Sequence, residues 1–412
     1  MVHGKAYLKR QVPEGTRDVL PLEAAGRKRL TERFLRVMDK WGYREVMTPA
    51  FEYLDVLEAG SEGNSLEKMY KFFDHNGNIL ALRSDITTPV ARMVATRMKD
   101  YQKPLRLSYT GHVFRYDELQ VGKQRQFEQT GLELVGVNSP EADAEVIAIA
   151  IEALQNAGLK DFQISLGQVE FFRGVLGNAD LSEAVKEEII RAVDRKDFFT
   201  LGEILDKTGI TAAEKELLTS VPQLYGKKEV LAAAQLKANN DHSKKALANI
   251  RSVYEILEDY GLSDYIFLDL GLVRGIDYYT GMVFKVYTQG IGFSLGGGGR
   301  YDNLAAEFGP ACPAVGFAFS VGRILYALEK KVREPLDCRN DCRIEFTADI
   351  RREAWNLAKE LRLKGLKVEL ALNSPSELPE ASLIVSCLKT GKELELKWKE
   401  GLADELFNSC FA

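Results

Sequence analysis

Two strand-type runs, 105–116 and 127–136, flank a polar stretch centred on Gln120-Val121-Gly122-Lys123. That pattern predicts a long antiparallel hairpin, and no other feature of the chain narrows its fold so far. Strand residues two apart share a face, so Phe127, Gln129, Gly131 and Glu133 all point the same way. A glutamine and a glutamate at that spacing are odd for the buried side of a sheet. They mark this face as a candidate binding surface.

Around the hairpin the chain reads as a large mixed core, an embedded helical segment and a small tail. Leu30, Phe34, Leu35, Met38 and Trp41 recur at helical spacing over 27–41, and Gly42 closes the pattern as a C-terminal cap. A strand follows at 45–47. The Ala/Ile/Leu periodicity of 141–157 predicts a helix, and 162–167 another strand. From about 168 to 245 the sequence is helical, rich in charges of mixed sign and without strand signals, the composition of an inserted helical subdomain with a solvated face. Strand signals resume at 265–270 and 282–287, a core helix is expected at 321–331, and 342–347, 351–363, 367–372 and 381–387 predict strand, helix, strand, strand. The expected division is therefore 1–333 for the core and 334–412 for a small α/β domain.

Bulk properties exclude several classes. A chain of 412 residues with 45% hydrophobic content can bury a large core, and its net charge of −5 supplies no global field for nucleic acid. The five cysteines are scattered and odd in number, which fits reduced thiols better than a disulfide framework. Cys338 and Cys342 have no partners at metal-site spacing, His75 and His112 stand alone, and no metal or cofactor is implied. No run of about 18 apolar residues is present, so the expectation is a cytoplasmic chain without a membrane span. The run Gly296-Gly297-Gly298-Gly299 marks a backbone that something approaches closely. It lacks the Lys-Ser/Thr of a nucleotide loop, which favours close packing over phosphate binding.

Several motifs carry a resemblance to a known family. The stretch Leu272-Val273-Arg274-Gly275-Ile276-Asp277-Tyr278-Tyr279-Thr280-Gly281 resembles the histidine-binding signature of histidyl-tRNA synthetases. Gly15 to Pro21 and Gly42 to Glu52 are similar to the opening and first motif of class II aminoacyl-tRNA synthetases, Phe114-Arg115-Tyr116-Asp117 with Arg125 to Gln129 to the second, and Pro313 to Arg323 to the third. The resemblance covers almost the whole chain. It implies an α+β, class II synthetase-like antiparallel sheet flanked by helices, with dimerisation through the first motif. By the same resemblance Glu133 and Tyr279, beside Tyr278, would hold an imidazole, Arg274 a carboxylate, and Gln129 and Thr87 the amino-acid backbone atoms. Asp85 stands where those enzymes have glutamate and would meet the ammonium group. Arg115 and Arg323 match the arginines that flank ATP phosphates.

The departures are as informative. Glu118 stands where an arginine is usual and Val121 where a lysine is, placing an anion where a triphosphate needs cations. Gly322 replaces an acidic neighbour of Arg323, which predicts that Arg323 lacks an orienting partner. In the tail only Asn373 to Glu380, with two prolines and two glutamates, lies where an anticodon-binding basic helix is usual. A synthetase-like chain with a histidine pocket but without this machinery resembles the regulatory subunits of ATP phosphoribosyltransferase. That resemblance implies a non-catalytic role, free histidine as ligand and feedback signal, a short-form catalytic subunit as partner in histidine biosynthesis, and no tRNA. The alternative is a divergent histidyl-tRNA synthetase that forms histidyl-adenylate.

Overall fold

The computed structural model describes residues 10–60, 64–116, 124–177, 179–273, 278–331, 342–346, 348–371, 383–390 and 393–398. The expected loop substitutions at Glu118 and Val121, the signature residue Arg274 and the proline-containing stretch 373–380 lie outside them. The chain clusters into two compact units, Met1–Val19 with Gly26–Glu334, and Leu20–Ala25 with Pro335–Ala412.

In the larger unit the strands are β1 (Arg44–Glu45), β2 (Phe51–Tyr53), β3 (Lys71–Phe73), β4 (Ile79–Leu82), β5 (Leu105–Phe114), β6 (Gln126–Val135), β7 (Phe162–Gln168), β8 (Tyr225–Gly226), β9 (Ile266–Asp269), β10 (Met282–Thr288), β11 (Gly296–Arg300) and β12 (Ala314–Ser320). The predicted hairpin is β5 and β6, in register over ten pairs from Leu105↔Val135 to Phe114↔Gln126. It sits inside a nine-stranded sheet of order β1-β5-β6-β12-β11-β10-β7-β9-β8. The sheet is antiparallel through its middle, but β1 runs parallel to β5 and β7 parallel to β9, so it is mixed towards its edges. A separate three-stranded sheet has the order β2-β4-β3.

The first helix, Pro21–Lys40, begins six residues earlier than its apolar periodicity predicts. Proline at the first helical position loses no hydrogen bond there, so the helix extends through a polar turn that the periodicity does not reach. It buries Leu30, Phe34, Val37 and Met38, and Phe34 meets Phe319 of β12 at 5.4 Å between ring centroids. Gly42, at φ +82°, lets the chain leave the helix in the left-handed region that a side chain would strain. The helix Pro140–Asn156 opens with Ser139 accepting from Ala142 N, has proline in its first turn and carries Glu141 and Asp143 near its positive end. Its buried Val146, Ile147, Ile149, Ile151 and Leu154 come from nearly every face, because the sheet lies on one side and the helix Asp241–Asp259 on another.

The region 168–245 contains the helices Val169–Gly177, Glu183–Asp194, Phe198–Asp206, Ala212–Ser220 and Glu229–Lys237, and Asp241–Asp259 starts within it. It is not purely helical. Tyr225 and Gly226 form β8, which pairs antiparallel with β9 at the edge of the main sheet. Two residues are too short a run to give a period-two signal. In the smaller unit β13 (Cys342–Phe346), β14 (Val368–Ala371), β15 (Leu383–Thr390) and β16 (Glu393–Trp398) form a four-stranded sheet of order β14-β13-β15-β16, and the helix Arg351–Leu363 connects β13 to β14. Cys342, Ile344, Ile350, Ala354, Ala358, Leu361 and Val368 make its core.

Candidate functional site

Register decides which hairpin residues meet. Glu133 lies opposite Leu107 on β5 and opposite Gly316 on β12, and Gly131 lies opposite Tyr109 and Ala318. Glycines at 131 and 316 therefore leave room on either side of the carboxylate. A Cβ built on Gly316 would overlap Glu133 Oε2 and lie 2.6 Å from its Cδ, and one on Gly131 would lie 2.8 Å from the Tyr109 hydroxyl. The glycine run forms β11 itself. Cβ atoms on Gly296 and Gly298 would overlap the β12 carbonyls of Ala318 and Gly316, so this is a close-packed wall and the packing reading of the run holds.

These strands floor a cavity of about 260 Å³ lined by Asp85, Thr87, Arg115, Gln129, Glu133, Tyr278, Tyr279 and Arg323, together with Phe127, Lys285, Tyr301 and Gly316. Every expected site residue that the structure describes lines this one cavity. Arg274 is the exception, outside the described residues. At the cavity's base Glu133 is 1% exposed. Thr87 and Tyr109 donate to its Oε1 at 2.7 and 3.0 Å, and Tyr301 donates to its Oε2 at 2.6 Å. Burial pushes the Glu133 carboxyl up to about 7, against the pull of those three hydroxyls, and the charge of Asp85 adds to the rise.

Tyr109 and Tyr301 are functional residues that sequence reasoning missed. Tyr109 could have been found from the hairpin register, where a tyrosine faces a glycine two residues from Glu133. Tyr301 is 168 residues from Glu133, and no local signal connects them. Tyr278 packs edge-on against both Tyr279 and Tyr301, at 5.2 and 5.5 Å between centroids. Burial raises the phenols of Tyr278 and Tyr279 above their ordinary range, so both stay neutral at physiological pH.

Asp85 precedes the helix Thr87–Arg97, and its Oδ1 accepts from Thr88 N at 2.7 Å. It therefore caps that helix as well as facing the cavity, and the hydroxyl of Thr87, expected beside amino-acid backbone atoms, is directed at Glu133. Arg83 fixes the segment. Its Nε donates to the His112 carbonyl and its Nη1 to that of Thr48, both at 2.8 Å, in space that a side chain at position 111 would fill. Gln129 presents the opposite condition: among the described residues its Oε1 is buried without a hydrogen-bond partner. Such an atom costs about 1–3 kcal/mol unless a ligand or water donates to it.

Arg115 donates through Nε to the Ser84 carbonyl at 2.9 Å and lies over the Phe127 ring. Arg323 corrects an expectation. Despite glycine at 322, its Nη1 donates to the Ser294 carbonyl at 2.9 Å and its guanidinium lies over Phe293, so backbone and ring orient it in place of an acidic neighbour. The cavity is thus lined by charges of both signs, Asp85 and Glu133 on one hand and Arg115, Lys285 and Arg323 on the other.

The sheet, the three motif-bearing segments and this cavity define a class II synthetase-like protein, and the histidyl-tRNA synthetase family model matches residues 15–324. A solved structure described as an ATP phosphoribosyltransferase regulatory subunit/histidyl-tRNA synthetase from Bacillus halodurans superposes with a TM-score of 0.83 at 31% identity, covering 93% of this chain and 99% of that one. The ATP phosphoribosyltransferase regulatory subunits of Acetivibrio thermocellus and Desulforamulus reducens are both 43% identical to it, over 88% and 95% of this chain and 86% and 97% of theirs. The chain belongs to the family of ATP phosphoribosyltransferase regulatory subunits.

Proposed function

We propose that the chain binds free histidine in this cavity and, through it, regulates a short-form ATP phosphoribosyltransferase catalytic subunit, without adenylating histidine itself. The observation that carries the reading is the pairing of a buried acceptor, Glu133, with an unpartnered one, Gln129 Oε1, in a single amino-acid-sized cavity. In this reading histidine's ring N–H serves Glu133 while its ammonium group serves Asp85 and Gln129. Arg274, by its place in the signature, would take the carboxylate, and Arg115 and Arg323 remain candidates for a phosphate-bearing ligand. Exposed Met47 and Phe51, at 82% and 50%, support self-association through the first-motif segment. No helix among the described residues is long and apolar enough to cross a membrane, in keeping with a cytoplasmic role. Feedback requires histidine to favour one assembly state over another, and a coupling of about 1–3 kcal/mol suffices.

Titration calorimetry tests the pocket: Gln129→Leu weakens histidine binding about tenfold or more while leaving the unliganded melting temperature unchanged or raised, since the lost oxygen has no partner to strand. Unchanged affinity would refute the placement. The retention of Arg115 and Arg323 in the cavity favours one second reading, a divergent synthetase. Histidine-dependent exchange of pyrophosphate into ATP separates the two, because the regulatory reading requires none.

A further inference from the structure

Three hydroxyls from separate segments converge on one carboxylate: Thr87 at the start of a helix, Tyr109 on β5, and Tyr301 immediately after β11. A carboxylate offers about four acceptor positions. Among the described residues Oε1 uses two and Oε2 one, leaving Oε2 capacity for one further donor. Gly316 fixes where that oxygen sits, because a side chain there would occupy its position. We infer that Tyr109 and Tyr301 are positioning residues that hold Glu133 as a charged acceptor, so that the cavity selects side chains with a ring N–H and loses its grip on them as Glu133 takes up a proton. The inference rests on the proposed histidine site and assigns its specificity to two tyrosines that touch the carboxylate.

A hydroxyl donor stabilises the charged form, so each one removed raises the pH at which Glu133 ionises. Burial already holds that point near 7, inside the range where binding is measured. The phenols facing Glu133 do not titrate there. Tyr278, Tyr279 and Tyr301 are phenols raised by burial, as is Tyr109 across the β5 pairing. Also lining the cavity are Asp85 before the helix, Arg115 beyond β5, Lys285 on β10 and Arg323 beyond β12, and β12 presents glycine opposite Glu133. Histidine's own ring titrates at about 6.5. That contribution is common to every variant and cancels in a ratio of affinities.

The experiment is calorimetric titration of histidine into the full chain, wild type, Tyr301→Phe and Tyr109→Phe, at acidic, neutral and alkaline pH. For a rise of about one unit in the ionisation point, Tyr301→Phe weakens binding about ninefold one unit below the wild-type point, about fivefold at that point and less than about twofold two units above it. β-(2-Thienyl)alanine, the same shape without an N–H, binds the wild type at least about a hundredfold more weakly than histidine. An equal loss at all pH values, or thienylalanine binding within tenfold of histidine, overturns the inference and leaves the histidine site standing. Absence of histidine binding to the wild type overturns the site itself. Should Tyr301→Phe not fold, Tyr109→Phe carries the same pH signature from the other carboxylate oxygen.

Discussion

Gly316→Ala concentrates the strain of the site in one methyl group. The new Cβ would overlap Glu133 Oε2 and the Leu132 carbonyl, in a strand paired on both sides and therefore unable to shift freely. Overpacking of this kind costs about 1–3 kcal/mol. The side chain able to give way is Glu133, and displacing its Oε2 breaks the 2.6 Å bond from Tyr301, a hydrogen bond to a charged group worth about 1.5–3 kcal/mol. The variant should therefore lose roughly 3–6 kcal/mol of stability in urea denaturation, read as a fall in midpoint at constant m. A double-mutant cycle locates the cause. If the methyl group acts through the carboxylate, adding Glu133→Ala relieves at least about 1 kcal/mol of the loss, and the residual is the backbone contact with Leu132. Additivity of the two substitutions, or a Gly316→Ala chain as stable as wild type, would refute the reasoning.

Two further outcomes follow from buried charge. The folded-state ionisation of Glu133, near 7 against 4.5 for an unperturbed carboxyl, means that the folded chain holds this proton more tightly than the unfolded one. Its contribution to stability is fully present below about 4.5 and is lost as pH rises to 7, a change of about 3 kcal/mol that Glu133→Gln should remove from the pH dependence of the unliganded chain. Arg300 meets Asp143 Oδ1 through Nη2 at 2.6 Å and Nε at 2.9 Å, and also donates to the Val137 carbonyl at 3.0 Å. Arg300→Met strands a fully buried aspartate and should cost about 3–5 kcal/mol, whereas Arg300→Met with Asp143→Leu should recover much of it; chemical denaturation of both decides.

The sequence made the site's materials legible where chemistry is local. Alternation in 127–136 placed Phe127, Gln129 and Glu133 on one face, and all three line the cavity. The helix at 321–331 appears with those bounds because its apolar stripe is regular and no polar extension precedes it. Helix Pro21–Lys40 outran its prediction for the converse reason. What sequence could not supply is convergence. Tyr301 reaches Glu133 only because β11 and β12 pair with Gly299 opposite Gly316, and Gly316 pairs in turn with Glu133 on β6, a strand far from both in sequence. The orientation of Arg323 escaped prediction likewise, since a backbone carbonyl and a ring replace the acidic neighbour that the motif would supply. A motif comparison sees side chains and is blind to main-chain acceptors.

On the proposed histidine site, the same convergence would let several segments respond to occupancy. Glu133 is anchored by the helix start at Thr87, by β5 and by the segment after β11, while Gln129 and Arg323 belong to β6 and to the helix Val321–Lys331. Without ligand, the buried carboxylate and the unpartnered amide oxygen both work against the folded arrangement. A ligand that donates to both stabilises the folded arrangement, because it binds there and not to the unfolded chain. If a second arrangement of these segments binds histidine less well, occupancy favours the first by the difference in affinity. If histidine protected the amides of Thr88 and Tyr301 from hydrogen exchange no better than those of the helix Ala212–Ser220, none of whose residues lines the cavity, the cavity would be a binding site without this coupling.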